Sequence, residues 1–444
     1  MSFSTASLRA LLEAHTPAAA TGFAVGLSGG ADSAALLAAM SGLRDLPLRA
    51  LHVDHGLQAA AAEFREACGE LCRRLGVPLT VLPVVVPTPA GVSVEAAART
   101  ARYAALALSL RAGECLLTAH HREDQAETLL LQTLRGAGLR GLAAMPLCRP
   151  LGAGWHLRPV LDVPQHELLA LAATGSASAA ASDPMNDDLR FDRVYLRRRL
   201  WPLIEPRWPG AGAALSRTAR HVAEAQELLD RTAGAELARL RDGTALSLPR
   251  LRALEAADRI NALRYWLREA GAEPPSTARL NEALRQLLEA DEDHLPAVVW
   301  GDYALRRYRD RVFLTEADPP RLQGTRRWEV APGSRVDLGP GLGTLRFAVV
   351  QRGGIATHRL PQTLSVRARS GGETLKPGAH AKTQSVQHLC QSHGVLPWLR
   401  DALPFVYADA ALIAVADLWQ DAEWSAGPEG PGMIIEWEGA PVLV

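Results

Sequence analysis

Six consecutive residues, Ser28-Gly29-Gly30-Ala31-Asp32-Ser33, are built for chemistry on an anion. They join an apolar run, residues 23–27, to an alanine- and leucine-rich run, residues 31–40. That order predicts a buried strand, a tight turn and the N-terminus of a helix. Paired glycines admit backbone angles closed to other residues and let main-chain N–H groups approach a ligand. The first N–H groups of a helix lack internal partners and favour a phosphate. Ser28 and Ser33 add hydroxyls. Asp32 adds a carboxylate where the phosphate would dock, a pairing that calls for a bridging cation, Mg²⁺. A plain glycine turn would need none of these additions. The mononucleotide loop ending in Gly-Lys-Ser/Thr is excluded, because the chain has no Gly-Lys pair, and G-x-G-x-x-G is absent from this turn.

A second group is Thr118-Ala119-His120-His121-Arg122-Glu123-Asp124-Gln125-Ala126-Glu127-Thr128. It ends a predicted strand, residues 114–119, and opens a helix. Asp124 and Glu127 are three apart and share a helical face. Two carboxylates on one face can hold Mg²⁺, or bind an amine and take its proton. Acidic residues in a first turn also simply suit the helix dipole, and a His-His-x-x-Asp metal site is chemically open. A third group, Asp54-His55-Gly56, ends the strand predicted over 46–54, where an acid can read a ribose. A solvated turn would look the same.

These groups need a frame. Residues 58–75 and 92–110 have helical spacing, and 78–86 is a β-branched run. Alternating helix and strand predicts an α/β fold with a parallel sheet and right-handed crossovers. In such sheets ligands lie at the carboxyl ends of the strands, where all three groups fall.

The turn resembles the S-G-G-x-D-S signature of the PP-loop ATP pyrophosphatases. Within that superfamily the chain resembles the tRNA(Ile)-lysidine synthetases. Residues 53–58 resemble their V-D-H-G-L-R element, with Gln58 for Arg, and residues 118–128 their T-A-H-H-x-D-D-Q-x-E-T, with Glu123 for the first Asp. Glu95, Arg99, Arg102 and Tyr103 match an E-x-x-x-R-x-x-R-Y helix, and residues 135–142 an R-G-x-G-x-x-G-L loop. Arg158-Pro159-Val160-Leu161 resembles an R-P-L-L strand, and Asp183-Pro184-Met185-Asn186 a D-P-S-N turn. Residues 192–203 resemble a D-R-N-x-I-R-x-x-x-x-P-L helix, with Val194 for Asn. Arg369-Ser370-Gly371-Gly372-Glu373 resembles an R-x-G-G-E loop, and residues 395–404, with Arg400, an I-P-P-W-x-R-x-x-x-P element. The likeness is densest over 23–205, patchy over 206–317 and moderate over 365–425.

The resemblance implies a PP-loop (adenine nucleotide alpha hydrolase-like) N-terminal domain over 1–205. It implies a helical tRNA-binding domain over 206–317 and a small β-rich tRNA-binding domain over 325–444, past a linker at Asp318-Pro319-Pro320. The implied reaction adenylates the wobble cytidine of a tRNA(Ile) with a CAU anticodon, using ATP and Mg²⁺. Free L-lysine then displaces AMP, giving lysidine. Residues 28–33, with Asp54 and His55, would bind ATP, and Asp32 and Asp124 the metal. Asp32, Asp124, Glu127, Arg99 and Arg102 would be catalytic.

Residues 190–220 hold eight arginines against Asp192 and Glu205. Such a run is often a solvated helical face, but phosphate contacts from an RNA would need it. Arg193, Arg197 and Arg198, with Arg369, Lys376 and Arg400, are the expected tRNA contacts. Only two of the 48 basic residues are lysine, Lys376 and Lys382, and the formal net charge is zero. The five cysteines, Cys68, Cys72, Cys115, Cys148 and Cys390, form no C-x-x-C pair, which argues against a disulfide frame, a zinc ribbon or a sulfur-transferring tRNA thiolase. The N-terminus is a poor signal peptide, and no apolar run reaches the ~18–20 residues of a membrane span. A cytoplasmic enzyme, monomer or homodimer, is expected. An amidating ligase of the same superfamily, or a non-catalytic RNA-binding protein, would differ in not consuming lysine with ATP and tRNA.

Overall fold

The strand β1 (Gly22–Gly26) is interior to the sheet that positions the site, and it is buried along almost its whole length. The computed structural model describes residues 3–43, 46–54, 61–86, 94–173, 188–291 and 294–443. It divides into two compact units, Met1–Asp230 and Arg231–Val444.

The first unit runs α1 (Thr5–His15), β1, α2 (Ala31–Ser41), β2 (Leu48–Asp54), α3 (Ala61–Leu75), β3 (Leu79–Pro83), α4 (Val94–Ser109) and β4 (Glu114–Leu117). It continues through α5 (Arg122–Leu134), α6 (Leu139–Leu142), β5 (Cys148–Leu151), β6 (Gly154–Leu157) and α7 (Gln165–Ala173). The sheet order is β3-β2-β1-β4-β6-β5, parallel except for the edge strand β5. The chain moves outward from β1 to β3, then returns to the other side of β1 as β4. That reversal opens a crevice at the carboxyl ends of β1 and β4. Both faces of the sheet are covered, which is why β1 reads as an unbroken apolar run. Phe23 and Val25 pack with Leu8, Leu36, Leu37 and Met40, whereas Ala24 packs with Leu51, Leu106 and Leu116 on the opposite face.

Two sequence expectations need correction here. Residues 158–161 are a turn rather than a strand, because β6 ends at Leu157 and Arg158 is drawn aside to donate to the Pro146 carbonyl at 2.6 Å. The β5–β6 hairpin was not expected; Pro150 suits β5 to the sheet edge, where a missing N–H costs no ladder bond. The basic helix is also irregular: α8 (Asp192–Tyr195) and α9 (Trp201–Ile204) flank one π turn, Leu196–Leu200. Pro202 cannot supply the next N–H of the ladder. The turn resembling D-P-S-N, residues 183–186, lies outside the described residues.

The boundary between the units falls inside the long helix α10 (Ala211–Leu240). In the second unit, helices Ala256–Glu269 and Thr277–Glu289 pack through Leu263, Trp266, Leu280 and Leu287. They cover an antiparallel five-stranded sheet, so the helical middle of the chain is closed by short strands. Residues 325–438 carry further five- and three-stranded antiparallel sheets around Phe347 and Phe405.

One buried ion pair ties β2 to β4 across β1. Arg49 Nε and Nη2 donate to both Glu114 oxygens at 2.7 and 2.6 Å, with side chains 11% and 5% exposed. Burial pushes the Glu114 carboxyl up, but the Arg49 bond, the Arg111 N–H and the charges of both arginines outweigh it and leave the pKa below its ordinary value. A depressed carboxylate stabilises above its unfolded pKa of about 4.3, and that contribution is lost as pH falls through the folded value. Glu114→Gln should therefore cost about 3–5 kcal/mol at neutral pH by stranding the guanidinium. In chemical denaturation the gap to wild type should narrow in acid; a gap that does not change with pH would contradict this account.

Candidate active site

The phosphate turn is self-braced. The Ser28 N–H donates to Ser33 Oγ at 3.1 Å, the two hydroxyls lie 3.0 Å apart, and Ser33 Oγ donates to the Gly30 carbonyl at 3.0 Å. Gly29 is required twice over: its φ is +88°, and a Cβ there would stand 2.6 Å from Phe64 Cδ1. The ring of His52 donates from Nδ1 to the Leu27 carbonyl at 2.9 Å, anchoring the start of the turn to β2. The helix α2 starts at Ala31, so its unpaired N–H groups face the crevice side of the turn, with Asp32 in its first turn.

Across the crevice, α5 follows β4. Its N-cap residue His121 is buried, and its N–H donates to Asp124 Oδ2 at 3.1 Å. His121 Nδ1 meets Glu123 Oε2 at 2.9 Å, while Nε2 stands 3.8 Å from Asp32 Oδ2 and 3.4 Å from Asp124 Oδ2. One imidazole thus joins Asp32 and Asp124, two acids at the starts of helices that follow different strands. Burial alone would push His121 down, but the Glu123 hydrogen bond and the charges of Asp124, Asp32 and Glu123 raise its pKa. Gln165, at the start of α7, donates to both Asp32 oxygens at 2.9 and 3.2 Å, and its N–H donates to Glu123 Oε2 at 3.0 Å.

Glu127 lies one turn along α5 and is only 3% exposed. Arg193 Nε donates to it at 2.9 Å, and Arg197 donates from Nε at 2.7 Å and Nη2 at 2.9 Å. The same arginines reach Asp124 Oδ1 at 3.3 Å. Two expected RNA contacts therefore face the expected catalytic acids. Arg198 is exposed beside them.

A cationic wall stands beside this acidic group. The guanidinium carbons of Arg99, Arg102 and Arg149 lie 5.2, 5.6 and 5.5 Å from the centre of the Tyr103 ring. Tyr103 in turn packs against His156, with ring centres 5.4 Å apart. Arg158 is buried behind it, and desolvation brings its pKa down to about 10.

Asp54 ends β2 and pairs with Arg65 at 3.6 Å; His55, its expected partner at ATP, lies outside the described residues. Arg369, Lys376 and Arg400 belong to the second unit. Arg369 Nε donates to Asp401 Oδ1 at 2.7 Å, and Arg400 donates from Nε and Nη2 to the Val395 carbonyl, each at 3.2 Å. The Lys376 main chain is pinned by Asp421 Oδ2 at 2.9 Å and the Ala422 N–H at 2.8 Å.

The sequence alone does not single out Gln165, Arg149 or His156 as site residues. Gln165 carries no local signal for meeting Asp32, from which it is 133 residues distant. Arg149 and His156 lie on the unexpected hairpin.

Comparison with known proteins identifies the domains. A PP-loop domain model matches residues 3–204, a TilS substrate binding domain model residues 246–313, and a TilS substrate C-terminal domain model residues 364–437. The tRNA(Ile)-lysidine synthase of Alkalilimnicola ehrlichii is 42% identical over 95% of this chain and 94% of its own. Those of Methylococcus capsulatus and Ralstonia nicotianae are 38% and 40% identical, over 94% and 93% of this chain and 96% and 92% of their own. Full-length relatives at this identity and a matched PP-loop domain place the molecule: the chain belongs to the tRNA(Ile)-lysidine synthase family.

Proposed function

We propose that this chain joins free L-lysine to the wobble cytidine of a tRNA(Ile) with a CAU anticodon, consuming ATP through an adenylated cytidine and releasing pyrophosphate and AMP. The observation that carries the reading is the meeting of the phosphate turn and the acid pair in one crevice, linked by His121 and Gln165 between Asp32, Glu123 and Asp124.

Pyrophosphate departure needs donors where charge grows. The N–H groups at the start of α2, from Ala31 onward, would supply them, and the Ser28 and Ser33 hydroxyls, which brace the turn and its Gly30, would re-aim to the phosphates. Asp32 and Asp124 offer hard carboxylate oxygens, which is the kind of partial ligand set Mg²⁺ takes alongside substrate phosphates. Bound there, Mg²⁺ would offset charge on the departing phosphates. Asp54, with His55, would read the ribose of ATP. Arg99 and Arg102, stacked on Tyr103, would orient the cytidine or its phosphate. No duplex needs opening, because an anticodon loop is single-stranded.

The lysine side chain arrives as an ammonium, with a pKa of about 10.4, and must lose a proton to attack. Asp124 and Glu127 would bind it and accept that proton. Arg198, Arg369, Lys376 and Arg400 would contact tRNA, with Arg193 and Arg197 shared between tRNA and the acid pair. Residues 206–317 and 325–444 would form the tRNA-binding domains of this cytoplasmic enzyme, whether it works as a monomer or homodimer. No helix among the described residues is long and apolar enough to cross a membrane. Sulfur transfer is disfavoured on chemical grounds: burial raises the Cys68 thiol to about 12, and Cys72 and Cys115 to about 11, away from nucleophilic thiolate.

Pyrophosphate release measured with ATP, lysine and the tRNA transcript tests the whole reading. Asp32→Ala should lower the rate by roughly 10²-fold or more, and lysidine should form only when lysine is present; lysine-independent turnover to a different product would refute it. Glu127→Gln should raise the lysine KM by about 10- to 100-fold, the size of a lost charged hydrogen bond. Adenylation without lysine should change little, so an equal loss in both half-reactions would exclude Glu127 as the amine acceptor. For tRNA binding, Lys376→Ala and Lys382→Ala should each flatten the plot of log affinity against log salt by about 0.7–0.9. Unchanged slopes would remove these lysines from the interface.

A further inference from the structure

Thr118 stands just past β4 with its hydroxyl between two imidazoles, 2.7 Å from His120 Nδ1 and 2.8 Å from His156 Nε2. On the far side of the His156 ring, Arg158 Nη2 lies 3.3 Å from Nδ1. A guanidinium has donors and no acceptor, so His156 Nδ1 must accept. The proton of the neutral His156 ring then sits on Nε2 and is donated to Thr118 Oγ1. Among the described residues the Thr118 hydroxyl has no other acceptor, so its own proton goes to His120 Nδ1, which leaves the His120 ring proton on Nε2. The series therefore runs one way, from a buried fixed cation to a half-buried ring at the crevice. Both rings are held neutral. Burial and Arg158, helped by Arg149, Arg99 and Arg102, bring His156 down to about 2. Burial, Arg158, Arg193, His156 and Arg99 keep His120 well below its ordinary value. Among the described residues, the His120 Nε2–H meets no hydrogen-bond partner.

We propose that His120 is a neutral Nε2–H donor to a phosphoryl oxygen of ATP in the adenylation step, and that Thr118, His156 and Arg158 are positioning residues that fix its tautomer. This rests on the adenylation reading above. A neutral imidazole at that place lends a hydrogen bond to growing negative charge without surrendering its proton, so no other group has to restore it between turnovers. The place is apt: His120 is charge-coupled both to Arg99 of the cationic wall and to Arg193 of the acid clamp. It also directly precedes His121, whose ring faces Asp32 and Asp124.

Long-range ¹H–¹⁵N correlation spectra of the histidine-labelled protein test the relay without any assay. Wild type should show His120 and His156 both as neutral Nε2–H tautomers. Thr118→Val, close in shape but without the hydroxyl, should leave His120 a mixture, and Thr118→Ser should restore the single form. In parallel, Thr118→Val should cut kcat for pyrophosphate release by roughly 10²-fold with little change in the ATP KM, and Thr118→Ser should recover most of it. His120→Gln, whose amide can still donate, should retain more activity than His120→Leu, a comparison that stands even if Thr118→Val does not fold. A wild-type His120 that is charged or protonated on Nδ1 overturns the relay. A tautomer change with unaltered kcat overturns the donor role. Wild type that releases no pyrophosphate overturns the adenylation reading, and the donor role with it, while the spectra still judge the relay.

Discussion

The parallel pairing of β1 with β4 is the constraint on which the site depends. Parallel strands end at the same edge, and each feeds a helix whose first N–H groups are unpaired. Because the chain leaves β1 in one direction and returns on its other side, the starts of α2 and α5 stand next to each other with no strand between them. Asp32 and Asp124 are 92 positions apart in sequence, yet both come within reach of His121 Nε2. Burial of β1 on both faces holds the strands together, and the Arg49–Glu114 pair fixes β2 and β4 across β1 from their amino ends, opposite the site.

Charge at this edge falls into two groups, and the acidic one carries its own clamp, Arg193 and Arg197. Asp32, Glu123 and Asp124 gather around His121, with Glu127 held one turn along by the arginines, whereas Arg99, Arg102, Arg149 and Arg158 gather around Tyr103 and His156. A nucleotide with a polyphosphate tail and an incoming cationic amine ask for opposite fields. Separate clusters can serve both, and Coulomb interactions are strong at such half-buried positions because little water screens them.

What could be read from the sequence was local. The turn at residues 28–33 was legible because its glycines, hydroxyls and carboxylate act within one turn of chain. Asp124 and Glu127 were legible as a pair because helical spacing alone puts them on one face. The partners that define their surroundings were not. Arg193 and Arg197 read as part of a basic run, and nothing in residues 190–220 says which arginines face inward; their carboxylate partners lie 66 to 73 positions away. Gln165 is silent for the same reason. The hairpin that brings Arg149 and His156 to the wall was missed because Pro150 and Gly152 suggest a loop, while pairing to β4 overrides that local preference.

The arginine clamp bears on a conflict within the proposed second step. Carboxylates attract an ammonium, but by favouring its charged form they also raise its pKa, which slows its conversion to a nucleophile. A site of acids alone would bind lysine well and activate it poorly. Positive charge close to the same carboxylates works the other way, lowering the amine's pKa while leaving acceptor oxygens in place. Arg193 and Arg197 are suited to this task because guanidinium groups stay protonated and grip carboxylates with a fixed fork. The Arg197 fork spans both Glu127 oxygens, at 2.7 and 2.9 Å. The balance between binding and activation would then depend on how firmly the two arginines hold the acids, and the π turn at Leu196–Leu200, which contains Arg197, sets the angle at which one of them arrives.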